Sequence, residues 1–395
     1  MKTAEDFSAQ KFAIYILGAG FSKSAGLPLA TELWSEVRRR ALCLTGRAGF
    51  FRDDLQTYIE YRKRCDGINL TFETVDLEDF MAFLDIEFHL GLRGKETWSA
   101  QGNEAQVVVK TLIGEILTER MPADIPEIYL RFARLLKPDD YVLTFNYDVL
   151  LERALEQIGV PYRLYPNRYK PSDYTPNPKM MIVDDSREEV IVLKPHGSID
   201  WFDRAEYSAR EQYRIERGFE TASRDLVFQY PSRFKAEPLA EGPRFRNDVL
   251  REMYRVRDIE TLYQSSPLFF ATPALLNPSS MKILFAEMVR DFWWGMGYAG
   301  GMNFRMAVIG FSLPSQDEYA RQIIYRLVTN YQQRAWDEAW DDFGHKKTPL
   351  VLVDLRCSQK EQEALRNRYA FVDWTKAITC FNGFDQHALE VLETS

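Results

Sequence analysis

ILGAGFSKSAGLPLATEL, residues Ile16 to Leu33, runs from a hydrophobic strand through Gly18-Ala19-Gly20 into a helix. Small residues at such a junction let the backbone approach a phosphate closely, and the free N–H groups at a helix start attract negative charge. The pattern is not that of an ordinary dehydrogenase. The sixth position of Gly-x-Gly-x-x-Gly is Lys23, and no acidic residue ends a second strand about 20 residues on. Taken alone, a tight strand-to-helix turn without a ligand accounts for the same glycines.

Short apolar runs of the same kind recur along the chain. They lie at Phe12–Leu17, Tyr141–Phe145, Val190–Lys194, Leu268–Thr272, Met306–Gly310 and Leu350–Asp354, each closed by a turn signal. Amphipathic helical segments stand between several of them, among them ATELWSEVRRRALCL, DVLLERALEQI, DEYARQIIYRLVTN and QKEQEALRNRYA. The alternation predicts an α/β fold, a Rossmann-like doubly wound and mainly parallel sheet with helices on both faces. In such sheets ligands bind beyond the carboxyl ends of the strands. Two stretches break the rhythm. Residues 51–120 read as a helical insertion, and residues 199–266, rich in Arg, Glu and Tyr, read as a second, irregular one. The sheet domain is then expected over residues 1–50, 121–198 and 267–395. The Pro-rich stretch from Tyr162 to Met181 reads as an irregular loop.

Composition bounds the partners. The 395 residues are 46% hydrophobic and 27% charged, with 21 Gly and 18 Pro, so a folded core is expected rather than disorder. Fifty Lys and Arg against 58 Asp and Glu leave a net charge of -8, which argues against broad electrostatic binding of nucleic acid or anionic lipid. The four cysteines, Cys43, Cys65, Cys357 and Cys380, include no close pair of the kind a zinc ribbon needs, so no metal is expected. The N-terminus lacks the basic start of a signal peptide, and no apolar run approaches the ~20 residues needed to cross a bilayer. A cytoplasmic protein is expected.

Two further strand ends carry polar chemistry. In LTFNYDVLLERAL, Asn146 and Asp148 follow a strand directly, and in VIVLKPHGSIDWF, His196 does so with Gly197 giving the backbone room. Asp148 serves equally as a helix cap, and Asn146 as a turn residue. Histidine is the side chain best able to exchange a proton near neutral pH. The carboxylates of DLEDF, Asp76 to Phe80, read as a solvated helix face. Trp293 and Trp294 read as packing residues rather than as a base-stacking platform.

Together, GAGFSKSAGLP, TFNYD and KPHGS, in that order, resemble the dinucleotide site of the sirtuin superfamily. VIGFSLPSQDEYA resembles that family's loop on the adenosine-side phosphate, and LVLVD its adenosine-ribose strand. The likeness spans most of the chain outside the two insertions. It departs from the deacylases at one place: no cysteine stands between Cys65 and Cys357, where they carry two Cys-x-x-Cys zinc pairs. With Asn-Tyr-Asp and Ile-Gly-Phe-Ser-Leu-Pro, the chain is similar to the divergent zinc-less bacterial sirtuin-like proteins, many of them antiphage effectors.

The resemblance implies NAD+ as substrate, without zinc, and an NAD+ hydrolase that releases nicotinamide and ADP-ribose. Asn146 would hold a ribose hydroxyl or the attacking water, and His196 would accept a proton. Gly18, Ala19, Gly20 and Ser22 would cradle the diphosphate, and Pro28 would shape the nicotinamide pocket. Asp148 would order the Asn146 loop or contact the carboxamide. Gly310 and Ser312 would close on the adenosine side, and Asp354 would accept hydrogen bonds from ribose hydroxyls. Unchecked turnover would empty the host cell of NAD+, so a homo-oligomer gated by assembly, by a neighbouring-gene ATPase or by a phage-derived trigger is expected. A protein deacylase, an ADP-ribosyl transferase and a non-catalytic dinucleotide sensor are the alternatives.

Overall fold

The computed structural model describes residues 12–45, 49–94, 99, 102–171, 181–216, 218, 227–228, 233–244, 246, 248–265, 271–293, 296, 299–301, 303–333 and 347–394. In chain order the described strands are β1 (Ala13–Leu17), β2 (Tyr141–Thr144), β3 (Tyr162–Arg163), β4 (Tyr169–Pro171), β5 (Met181–Val183) and β6 (Val190–Leu193), then β7 (Trp201–Asp203), β8 (Ala236–Pro238), β9 (Met253–Val256), β10 (Arg305–Ile309), β11 (Leu350–Val353) and β12 (Ala377–Cys380). Seven of them form one sheet in the order β12-β11-β10-β1-β2-β6-β3, and every neighbouring pair is parallel. The chain builds outward from β1 through β2, returns to the opposite side at β10, and builds outward again. This is a Rossmann-like, doubly wound α/β fold, and the winding reverses between β1 and β10. A ligand crevice is expected outside the carboxyl ends at that reversal.

The central position of β1 follows from its composition. All five residues of AIYIL are buried, as a parallel strand covered on both faces requires. Register sets the functional ends level, because Leu17 stands opposite both Ile309 and Thr144, and Ile309 opposite Val353. The residues that follow, Gly18, Phe145, Gly310 and Asp354, therefore emerge side by side. Below them Phe21 meets Tyr129, Phe132 and Phe384, with ring centroids 5.2, 5.2 and 4.8 Å away. This aromatic cluster pins the first turn to the core.

Three expectations are corrected. Tyr162 to Met181 is not wholly irregular: β3 adds to the sheet edge beside β6, and β4 pairs antiparallel with β5. Pro171 is tolerated at the end of β4 because a two-stranded ribbon leaves its outer side unpaired. The second insertion contains an antiparallel sheet, β7-β9-β8, and the helix Arg204–Glu216. Its strands are three or four residues long, too short for alternation to show. Of the run Leu268–Thr272, residues 268–270 lie outside the described residues, and Ala271 and Thr272 are buried without joining a strand. The last place on the sheet goes instead to β12, half-exposed at the edge. The first insertion is helical, with helices Phe50–Asp66, Leu77–His89 and Glu104–Arg120, the last buried along most of its length. No described helix is long and apolar enough to cross a membrane.

The two turns at the reversal interlock. A Cβ on Gly310 would lie 2.2 Å from Phe21 N and 2.3 Å from the Gly20 carbonyl carbon, and its φ is +65°. Both neighbours are backbone, so neither can yield. Gly310→Ala is expected to cost about 4 kcal/mol or more, at the upper end for single substitutions. Gly383→Ala, at φ +79° with only ordinary contacts, is expected to cost about 1–2 kcal/mol. Thermal unfolding of the two variants checks the difference.

Candidate active site at the reversal of the sheet

The first turn, Gly18 to Lys23, is a single helical turn held by its neighbours. Gly18 N–H donates to Ile309 O at 2.9 Å and Gly20 N–H to Gly310 O at 3.0 Å. Two of the three N–H groups expected to face a diphosphate are therefore engaged with the β10 turn, and that of Ala19 has no described partner. The glycines are required here by the approach of two backbones. Pro28 lies half-buried in the link to the helix Ala30–Cys43, without a described contact to the other site residues.

The second turn is stitched to the first. Phe145 N–H donates to Leu17 O at 2.9 Å, and the Asn146 side-chain amide donates to Gly18 O at 3.0 Å and Ser22 Oγ at 3.1 Å. Asn146 and Ser22 are buried, and Asn146 Oδ1 has no described partner. Asp148 Oδ1 accepts from Leu150 N–H at 3.0 Å, so this carboxylate, one residue before the N-cap Val149, satisfies the first N–H of the helix Leu150–Ile158.

The third turn is stitched to the second. Lys194, wholly buried, donates to the Asp148 carbonyl and to Glu152 Oε1. Ile199 N–H donates to Tyr147 O at 3.0 Å, and His196 O accepts from Leu276 N–H at 2.9 Å. The His196 ring is 5% exposed and sits among Phe145, Tyr147 and Tyr319, at centroid distances of 5.1, 6.0 and 6.0 Å. Its Nε2 is buried and has no hydrogen-bond partner. Burial pushes the imidazole pKa down to about 4, against the pull of Asp317, so the ring is neutral near pH 7. The Phe145 carbonyl faces the other ring nitrogen, which leaves Nε2 as a free acceptor.

On the β10 side, Gly310 N–H donates to Val353 O at 2.8 Å, and Phe311 stacks on Phe145 with centroids 4.4 Å apart. The side chain of Ser312 has no described partner. Asp354 is bound to Leu355 N–H and Arg356, and burial holds its carboxyl above the usual range. The architecture thus brings Gly18, Ser22, Asn146, His196 and Gly310 together through direct contacts or one intervening ring.

Four residues escape the sequence reading, Phe145, Asp317, Lys282 and Glu78. Phe145 touches all the turns at once. Asp317 places Oδ2 3.9 Å from His196 Nε2, while its Oδ1 is paired with Lys282 Nζ. Both members of that pair are buried, and Lys282 comes from a mainly apolar segment, KILFAEMV, whose one other charged residue is Glu287. Glu78, read as part of a solvated face, is half-buried and feels both Lys282 and Asp317, with its carboxyl pushed up mainly by burial. The remainder of that stretch behaves as expected, with Asp76 capping its helix. Trp293 packs on Tyr319 at 5.4 Å, and Trp294 lies outside the described residues. A cavity lies elsewhere, between β3 and β8, where the guanidinium groups of Arg168 and Arg255 are already paired with Glu189 and Asp200. Among the described residues no group of three or more His, Cys, Asp and Glu could hold a metal.

Residues 140–273 match the SIR2-like domain family, a span that contains Asn146, Asp148 and His196. No curated protein matches the sequence. Among solved structures, a Sir2 enzyme studied for its mechanism and regulation is 14% identical, covers 99% of this chain and 93% of its own, and superposes with a TM-score of 0.31. A sirtuin studied for substrate affinity is 12% identical over 99% and 98% of the two chains, with a TM-score of 0.33. A Sir2 protein solved with a p53 peptide and NAD+ is 13% identical over 100% and 98%, with a TM-score of 0.32.

Proposed function

For a chain that carries a SIR2-like domain over residues 140–273, we propose an NAD+ hydrolase that breaks the bond between ribose and nicotinamide. The observation that carries this reading is the buried, neutral His196 with an unpartnered Nε2, one aromatic ring away from an Asn146 whose amide is locked onto the first turn. Cleavage expels a neutral leaving group and develops positive charge on the ribose. The site must orient that bond, tolerate the charge and supply an acceptor.

Asn146, held rigid by Gly18 and Ser22, turns its free Oδ1 toward a ribose hydroxyl. His196 takes the proton lost as the acceptor bonds to the ribose carbon. Ala19 N–H and the Ser22 hydroxyl face the diphosphate, and Asp148 acts by fixing the Asn146 loop. Gly310, Ser312 and Asp354 form the adenosine side, with Pro28 near the nicotinamide. With water as acceptor the products are ADP-ribose and nicotinamide.

Burial supports a gate. Asn146, His196 and Asp317 are 8%, 5% and 4% exposed, so a dinucleotide reaches them only when the covering segments around residues 276–282 and 310–319 move. The first of these segments is tied to the helical insertion, since Asp85 accepts from Asn277 Nδ2 at 2.6 Å and from Ser279 Oγ. A partner or a second copy acting on that insertion would reach the site through this contact. The protein then acts as an antiphage effector that depletes NAD+ when triggered.

The pH profile follows from His196. A base must be unprotonated, and an imidazole lowered from 6.5 to about 4 stays so in the window where an exposed histidine would be charged. Nicotinamide release at saturating NAD+ is expected to hold its rate from pH 7.5 down to about 5. A decline centred near 6.5 would contradict this. The function itself is tested by incubating NAD+ with the wild type and with His196→Ala, each with and without the product of the adjacent gene, and following nicotinamide. Release that survives the substitution unchanged would sink the reading.

A further inference from the structure

Asp317 Oδ2 and His196 Nε2 are 3.9 Å apart. That is too long for a direct hydrogen bond, yet a single water bonded at about 2.8 Å to each spans it. The two atoms demand the same thing of a ligand. Nε2 is a neutral acceptor without a partner, and the carboxylate accepts through Oδ2 because Oδ1 is committed to Lys282. One more buried polar atom without a partner belongs to a ring beside them, the Tyr319 hydroxyl, on a ring 6.0 Å from that of His196 and within reach of the Asp317 charge. Two acceptors facing one buried gap suit the two hydrogens of a single water and leave its lone pairs free.

We infer that Asp317 is a second catalytic residue, which with His196 holds and deprotonates the water that replaces nicotinamide. The inference rests on the hydrolase reading above. As the C–N bond to nicotinamide breaks, its electron pair leaves with the neutral base. The water oxygen bonds to the vacated ribose carbon, and its proton passes to His196 Nε2 and then to solvent. Asp317 takes the second hydrogen bond, aims the oxygen, and stabilises the imidazolium that forms. Lys282 is a positioning residue that fixes the carboxylate. The other ionisable groups facing it are Glu78 and the Tyr147 and Tyr319 hydroxyls.

Attack by water needs a proton acceptor, whereas return attack by nicotinamide does not. The two rates therefore separate this role from a structural one. With labelled nicotinamide and NAD+, Asp317→Asn is expected to lose about 30-fold or more in hydrolysis, within the range of a positioned acid–base group, while label exchange into NAD+ changes less than about threefold. Asp317→Asn strands a buried Lys282, so the double variant Asp317→Asn/Lys282→Gln is measured beside it, and Tyr319→Phe tests the same site without touching charge. Both are expected to raise the ratio of exchange to hydrolysis about tenfold. Hydrolysis and exchange falling together, or neither changing, overturns the role of Asp317. A wild type that neither hydrolyses nor exchanges removes the hydrolase reading itself.

Discussion

His196→Ala lowers nicotinamide release from NAD+ about a hundredfold or more, and the protein remains folded. Both halves of this expectation come from the same geometry. Nε2 makes no hydrogen bond, so truncation strands no partner there. The loss is packing against Phe145, Tyr147 and Tyr319 together with the hydrogen bond from the other ring nitrogen to the Phe145 carbonyl, about 2–4 kcal/mol by the usual cost of such changes. The main-chain carbonyl that receives Leu276 N–H is untouched. Asn146→Ala is expected to lose comparable activity but more stability, because Gly18 O and Ser22 Oγ lose a shared donor. Steady-state rates and melting curves of the two variants check this. Wild-type turnover in either one contradicts the assignment.

Lys194→Met is expected to destabilise the fold by about 3–5 kcal/mol, the cost of leaving one member of a buried ion pair alone. Lys194 and Glu152 are 0% and 1% exposed and 2.7 Å apart, and burial already holds the Glu152 carboxyl above its ordinary range. Lys194→Met/Glu152→Met removes both charges and is expected to recover most of that stability. Activity is not expected to return with it, since the Lys194 ammonium also grips the Asp148 carbonyl and so sets the Asn146 loop against the His196 loop. Denaturant titration and turnover on the two single variants and the double form the cycle. A double variant as unstable as Lys194→Met shows that the pair is not what Lys194 contributes.

What could be read from the sequence had local causes. Ala13–Leu17, Tyr141–Thr144, Val190–Leu193, Arg305–Ile309 and Leu350–Val353 are short apolar runs stopped by turns, and a parallel strand covered on both faces needs little else. The places of Asn146, His196 and Gly310 beyond the carboxyl ends of the sheet were legible because each follows such a strand. β3 and β12 were not, since edge strands bury one face at most and carry Arg163 or Thr379 without penalty. The partnership of Asp317 with Lys282 joins residues 35 apart through a salt bridge no periodicity encodes. The reading of Gly18 and Gly20 as a diphosphate cradle did not anticipate that the turn at Gly310 occupies part of that space and takes two of the N–H groups.

The central claim is that this site cleaves the glycosidic bond of NAD+ and passes the ribose to water. The most direct test is a product analysis by mass spectrometry after the purified wild type, assembled with the product of the adjacent gene, is incubated with NAD+. Nicotinamide and free ADP-ribose are predicted in equal amounts, and both about a hundredfold or more slower from His196→Ala. NAD+ recovered intact, or nicotinamide released while the ADP-ribose is found bound to another molecule, would contradict it.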